Sequence, residues 1–186
     1  GKMIDEREFW PIFEVAEELD VPIYLHPADP DKTVTERYYS PYDKTHPMVT
    51  RAAWGFGIET GTQAVRLILS GIFDRYPKLK IFLGHFGEAI PFWLPRIHES
   101  FTRPGNENID FNRIFKENFW ITTSGFFSDN ALELCLKVLN AEKILFAVDW
   151  PYANNKVGVD WLANAPIDKQ TKKLIFSENA QNLFNL

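Results

Sequence analysis

Residues 80–100 read KIFLGHFGEAIPFWLPRIHES, an apolar run from Ile81 to Leu83 that stops at Gly84-His85 and gives way to a helical pattern. A short strand, a polar residue at its end and a helix make one structural unit, and the unit recurs. VPIYLHP (21–27), FWITTSG (119–125) and KILFAVD (143–149) are runs of the same length and composition. Between them lie EREFWPIFEVAEELD, with Phe9, Phe13 and Ala16 on one helical face, and IETGTQAVRLILSGIFDRYP, with Val65, Ile68, Leu69 and Ile72 on one stripe. EAIPFWLPRIHESF reads as a helix broken by two prolines, and NIDFNRIFKEN, SDNALELCLKVLN and ENAQNLFNL read as further helices. Apolar strands alternating with helices specify parallel pairing with right-handed crossovers, so the fold class is α/β with about four parallel strands and flanking helices. The stretch from Ala28 to about Thr50 has no period, and a loop that long inside a compact domain serves function or moves.

Composition sets limits on function. The chain has 186 residues, 45% hydrophobic and 15% aromatic, enough for one globular unit with its own core. A formal net charge of -5 without a Lys/Arg run gives nucleic acid nothing to hold, so the expected partner is a small molecule. No apolar stretch approaches the about 20 residues a membrane helix needs, and the acidic start is unlike a secretory leader. With the single cysteine, Cys135, placed in the core, the expected location is cytoplasmic.

In a parallel α/β sheet, ligands bind where side chains escape the core at the carboxyl ends of the strands. Three of the four runs end there in His26, His85 and Asp149, and the fourth ends in Thr122, Thr123 and Ser124. Any one of these can be a satisfied polar residue or a turn. Together, two imidazoles and a carboxylate at one sheet edge suit a divalent metal such as zinc or manganese. Glu88, one turn after His85, can accept its ring N–H and fix the tautomer, or favour the start of the next helix. Arg96, about two turns further on, can face an anionic substrate or solvent. The aromatics beside these motifs, Trp54 and Phe56 among them, belong either to the core or to a pocket for a planar ring.

VPIYLHP, WGFGIETGTQAVRLILSGIFDRYPKLKIFLGHFGEAIPFWLPRI, FWITTSG and ILFAVDWPYAN together resemble the amidohydrolase superfamily, in the branch of aminocarboxymuconate semialdehyde decarboxylase. The resemblance is greatest to the γ-resorcylate, dihydroxybenzoate and carboxyvanillate decarboxylases. It implies the carboxyl-terminal half of a metal-dependent (β/α)₈ TIM barrel, residues 1–186 forming a single partial domain that lacks the amino-terminal strands. It implies His26 and Asp149 as metal ligands, His85 as a catalytic histidine held by Glu88, and Asp149 as proton donor. It implies Arg96 as a substrate contact, and Trp54 and Phe56, read as pocket aromatics, complete the expected substrate-binding set.

The activity implied is that of a carboxy-lyase, the non-oxidative decarboxylation of an ortho-hydroxylated aromatic carboxylic acid in a homo-oligomer. Two alternatives use the same residues: a metal-dependent hydrolase of an ester or lactone, and an inactive half-barrel with a structural role. The first-strand Glu-x-His or His-x-His of the family is absent from the sequence.

Overall fold

The computed structural model describes residues 2–186; Gly1 lies outside it. Its centre is a parallel sheet in which sequence order is spatial order: β1 (Ile23–Leu25), β2 (Ile81–Leu83), β3 (Phe119–Thr122) and β4 (Ile144–Leu145). The register aligns Leu25 with Leu83, Leu83 with Ile121, and Ile121 with Ile144. These residues and their neighbours Ile81 and Phe119 are buried against the helices. The alternate residues Tyr24, Phe82 and Trp120 share the other face, because side chains along a strand point to opposite sides. Phe82 meets Tyr24 and Phe184 edge-on there, each at 6.1 Å between ring centroids.

The helices follow the expected faces with three corrections. Trp10–Glu18 starts one residue before Pro11, where a missing N–H costs nothing, and buries Trp10, Phe13 and Ala16. Gly55–Leu69 starts earlier than its periodicity predicts, and the stripe is shifted: Leu67 and Ile68 are buried while Leu69 is exposed. Helix Ile90–Phe101 is not broken by its prolines. Pro91 sits in the first turn, and Pro95 is inside a helix that continues past it on an exposed side. The segment without periodicity carries only short helical turns, at Lys32–Val34, Thr35–Tyr39 and Pro47–Val49. Asp110 and Ser128 cap the next two helices, Phe111–Asn118 and Asp129–Val138, by accepting backbone N–H groups.

Cys135 is buried as expected, and burial pushes its thiol up to about 12. No helix among the described residues is long and apolar enough to cross a membrane.

Candidate active site

The chain leaves β2 through a turn whose handedness the sequence does not advertise. His85, Phe86, Gly87, Glu88 and Ala89 all have positive φ, from 48° to 81°. They form one left-handed turn, closed by a 2.7 Å bond from the Gly87 N–H to the Gly84 carbonyl. Only Gly87 is at ease here, since a Cβ in this region costs roughly 1–2 kcal/mol per residue. Four residues with side chains accept that strain, and such strain persists where surrounding contacts over-determine it.

The turn folds His85 back onto Glu88. His85 Nδ1 lies 2.7 Å from Glu88 Oε1, and the Glu88 side chain is only 3% exposed. The imidazole's affinity for a proton is raised, first by the hydrogen bond to Glu88 and further by the charges of Glu88 and Asp149, against an opposing effect of burial. With Nδ1–H donated to the carboxylate, Nε2 is the working nitrogen of the ring.

Asp149 comes to the same place from β4. It too has positive φ, 71°, and among the described residues its carboxylate makes no hydrogen bond or ion pair. Gly125, just past β3, is the meeting point. A Cβ built on Gly125 would stand 3.1 Å from Asp149 Oδ2 and 3.5 Å from His85 Cδ2. A side chain there would force both groups away, so Gly125 supplies the space in which the carboxylate and the Nε2 edge of the imidazole converge.

The other expected residues are distributed differently. His26 follows β1 and is exposed, with Nδ1 2.8 Å from the Pro27 carbonyl. That bond takes the Nδ1 proton and leaves the Nε2 lone pair free, as a metal-ligating histidine requires. It borders a cavity of about 500 Å³ also lined by Leu25, Glu59, Thr60 and Gln63, which neither His85 nor Asp149 lines. Trp54 is exposed at the start of helix Gly55–Leu69, and Phe56 is half-buried one residue into it. The first turn of that helix touches the site, because a Cβ on Gly57 would lie 3.1 Å from Glu88 Oε2. Arg96 is exposed and, among the described residues, makes no hydrogen bond or ion pair that joins it to His85 or Asp149.

Among the described residues no three His, Cys, Asp or Glu side chains converge as a metal-ligand set. His26 and Asp149 nevertheless fit a cation in chemistry, one offering an unused imidazole nitrogen and the other an unpaired carboxylate.

Sequence reasoning overlooked Tyr24, whose hydroxyl reaches both Thr122 and Ser124, and did not single out Gly125; Gly84, beside His85, is a place of close approach that the sequence does suggest. A tyrosine on the strand face opposite the core leucines was the available signal.

A short parallel sheet whose strands end in a strained His–Glu pair, an unpaired Asp and an available His is an α/β arrangement with its polar residues gathered at one edge. The profile of the Amidohydrolase family matches residues 2–186, and the chain belongs to that family. It is 40% identical to the γ-resorcylate decarboxylase of Polaromonas sp., over 98% of this chain and 56% of that one.

Among solved structures, it superposes with a TM-score of 0.89 on a dihydroxybenzoic acid decarboxylase from Polaromonas sp. with bound manganese and the inhibitor 2-nitroresorcinol. The identity is 37%, covering 99% of this chain and 55% of the other. It also matches the 5-carboxyvanillate decarboxylase of Sphingomonas paucimobilis with a TM-score of 0.87 and 39% identity, over 100% of this chain and 55% of that structure. The chain thus spans about half the length of the relatives it matches.

Proposed function

We propose that residues 1–186 form one partial barrel domain carrying the proton-transfer half of a metal-dependent carboxy-lyase, which removes carbon dioxide from an ortho-hydroxylated aromatic carboxylic acid. The observation that carries the reading is the convergence of the His85–Glu88 pair and Asp149 over Gly125. Relatives named as decarboxylases of such acids, one of them with manganese, support it.

His26 Nε2 and the Asp149 carboxylate would hold a divalent cation, manganese or zinc, together with ligands from outside this chain. Bound there, the cation supplies a positive charge that steadies the carboxylate and phenolate oxygens. The remaining work belongs to the protein's side chains. Asp149 relays a proton to the ring carbon that bears the carboxylate, and the ring loses its aromaticity. The bond to the carboxylate then breaks, its electron pair returns to the ring, and carbon dioxide departs. His85, held by Glu88 on the far side of its ring, turns Nε2 toward the reacting group and orients it. Arg96, Trp54 and Phe56 complete the substrate contacts in the assembled site, which we place in a cytoplasmic homo-oligomer.

The test uses the metal-loaded enzyme with three variants. His26→Ala and Asp149→Asn should each lower metal occupancy, measured by elemental analysis. His85→Asn should retain the metal and lose carbon dioxide release from ortho-hydroxybenzoates by roughly 100-fold or more. Full metal retention in both ligand variants would sink the proposed site. Substrate turnover without carbon dioxide release would sink the reaction.

A further inference from the structure

At the carboxyl edge of the sheet three hydroxyls close on one another. Tyr24 Oη lies 3.2 Å from Thr122 Oγ1 and 3.2 Å from Ser124 Oγ, and the latter two are 2.9 Å apart. Three hydroxyls carry three protons and make three contacts, so each donates once and accepts once around the ring. Ser124 Oγ has one lone pair left, and the backbone N–H of His85 donates to it at 3.3 Å. Thr122 and Ser124 are both buried, 3% and 4% exposed, so a broken ring leaves hydroxyls away from water without partners.

The ring spans strands that are not neighbours. Tyr24 is on β1, and Thr122 and Ser124 are at the end of β3, with β2 between them. The phenol can cross only because Gly84 lies beneath it. A Cβ at Gly84 would stand 2.8 Å from Tyr24 Oη and 3.0 Å from Ser124 Oγ. Gly84 has an ordinary φ of -72°, so what this glycine provides is room, not conformational freedom. The same phenol ring is 6.4 Å from the ring of His26, centroid to centroid. Tyr24 therefore touches the neighbourhood of each histidine-bearing strand end.

We propose that Tyr24, Thr122 and Ser124 are positioning residues for His85: their hydroxyl ring clamps the first backbone N–H of the left-handed turn and thereby aims the imidazole at the space over Gly125. Farther along, the turn is also held from its helix side, where the Cys135 thiol donates to the Phe86 carbonyl at 3.8 Å. Within the turn, the Gly87 N–H bonds the Gly84 carbonyl and His85 Nδ1 bonds Glu88, and neither ties His85 to another strand. The Ser124 bond is the one that fixes the start of the turn to β3. The inference rests on the reading of His85 given above.

Thr122 provides a decisive pair of variants in the metal-loaded full-length enzyme. Thr122→Val keeps the shape and deletes the hydroxyl, whereas Thr122→Ser keeps the hydroxyl and deletes a methyl. Hydrogen–deuterium exchange of peptides covering residues 84–90 is read beside kcat and KM. Thr122→Val should raise exchange in the turn roughly tenfold, the weight of about one hydrogen bond, and lower kcat with KM little changed. Thr122→Ser should behave like the parent. Tyr24→Phe should reproduce the valine result from the β1 side.

The reverse order, serine worse than valine, would mean that Thr122 matters for packing and would overturn the proposal. Unchanged exchange in both Thr122→Val and Tyr24→Phe would overturn it too. So would raised exchange with unaltered kcat in an enzyme that His85→Asn inactivates. A fully active His85→Asn would instead overturn the role given to His85, while the exchange data would still decide whether the ring holds the turn.

Discussion

At the amino end of the sheet, Asn118 donates its side-chain amide to the carbonyls of Pro77 and Leu79, both at 2.9 Å, and Asn179 donates to those of Ala141 and Ile144, at 2.8 and 2.7 Å. Each amide has two protons and each finds a backbone acceptor, so the loops entering β2 and β4 are closed without strain. At the carboxyl end, polar side chains are equally buried, but they serve one another and a backbone bent into the left-handed region at His85–Ala89 and at Asp149. The amino end satisfies its backbone. The carboxyl end holds its backbone in a costly shape and keeps a carboxylate unpaired. The same sheet thus separates satisfied groups from strained and unpaired ones along the strand direction, and the strained end is the one where barrel enzymes place their chemistry.

Glu88→Gln is the sharpest challenge to that division. It keeps the shape beside His85 but removes the charge, and turnover should fall about 100-fold while the fold persists. The pH dependence of stability checks the same pair. Because His85 binds its proton more tightly in the folded state, the stability it contributes is fully present below its ordinary value of 6.5 and is lost as pH rises through the raised value. Glu88→Gln should flatten that part of the profile, measured by urea unfolding across pH. An unchanged profile would mean that Glu88 does not set the affinity of His85 for its proton.

Asn179→Ala is the counterpart at the other end. Two buried carbonyls lose their donor, so about 2–3 kcal/mol of unfolding free energy should disappear, with turnover per folded molecule unchanged. A loss of turnover at constant stability would erase the distinction between the two ends.

Much of this was legible in the sequence. Four apolar runs ending in polar residues gave the parallel sheet and its edge, because buried strands and amphipathic helices have different periods. His85, Glu88 and Asp149 were identifiable since chemistry at a strand end needs polar residues just past an apolar run, and the structure does bring the three together. The left-handed turn was not legible. His-Phe-Gly-Glu-Ala contains one glycine, and intrinsic preference alone would never put its neighbours at positive φ; contacts from β3 and from helix Gly55–Leu69 override it. Nor was the hydroxyl ring, because Tyr24 and Ser124 are brought together by spatial strand order and by the missing Cβ of Gly84. Arg96 stands apart from the three. Helical spacing placed it within reach of the site, but Ile90–Phe101 presents it to solvent in this structure.

A smaller substitution measures the strain itself. Ala89 is exposed, has φ of 63° and immediately precedes helix Ile90–Phe101. Ala89→Gly should stabilise the protein by about 1 kcal/mol, since glycine occupies that region without steric cost. The gain is reduced by the greater freedom glycine gives the unfolded chain. Destabilisation on thermal unfolding would show that the methyl group contributes more than its conformation costs.

A last substitution tests whether the amino end is as relaxed as its asparagines suggest. Lys143 enters β4 with Nζ 2.6 Å from the Glu117 carbonyl and 3.4 Å from the centre of the Trp120 ring. Both contacts favour a cation, yet burial pushes the amine down from 10.5 to about 8, with Glu117 opposing that shift and nearby Lys80 adding to it. Here the cost is electrostatic and not conformational. Between about pH 8 and 10.5 the unfolded chain holds more of this proton than the folded one, so Lys143 makes stability rise with pH across that window. Lys143→Met should remove that rise while keeping the aliphatic stem on Trp120. If the slope survives, burial does not govern this amine, the ring and the carbonyl stabilise it as a cation, and the amino end is free of strain in charge as well as in backbone.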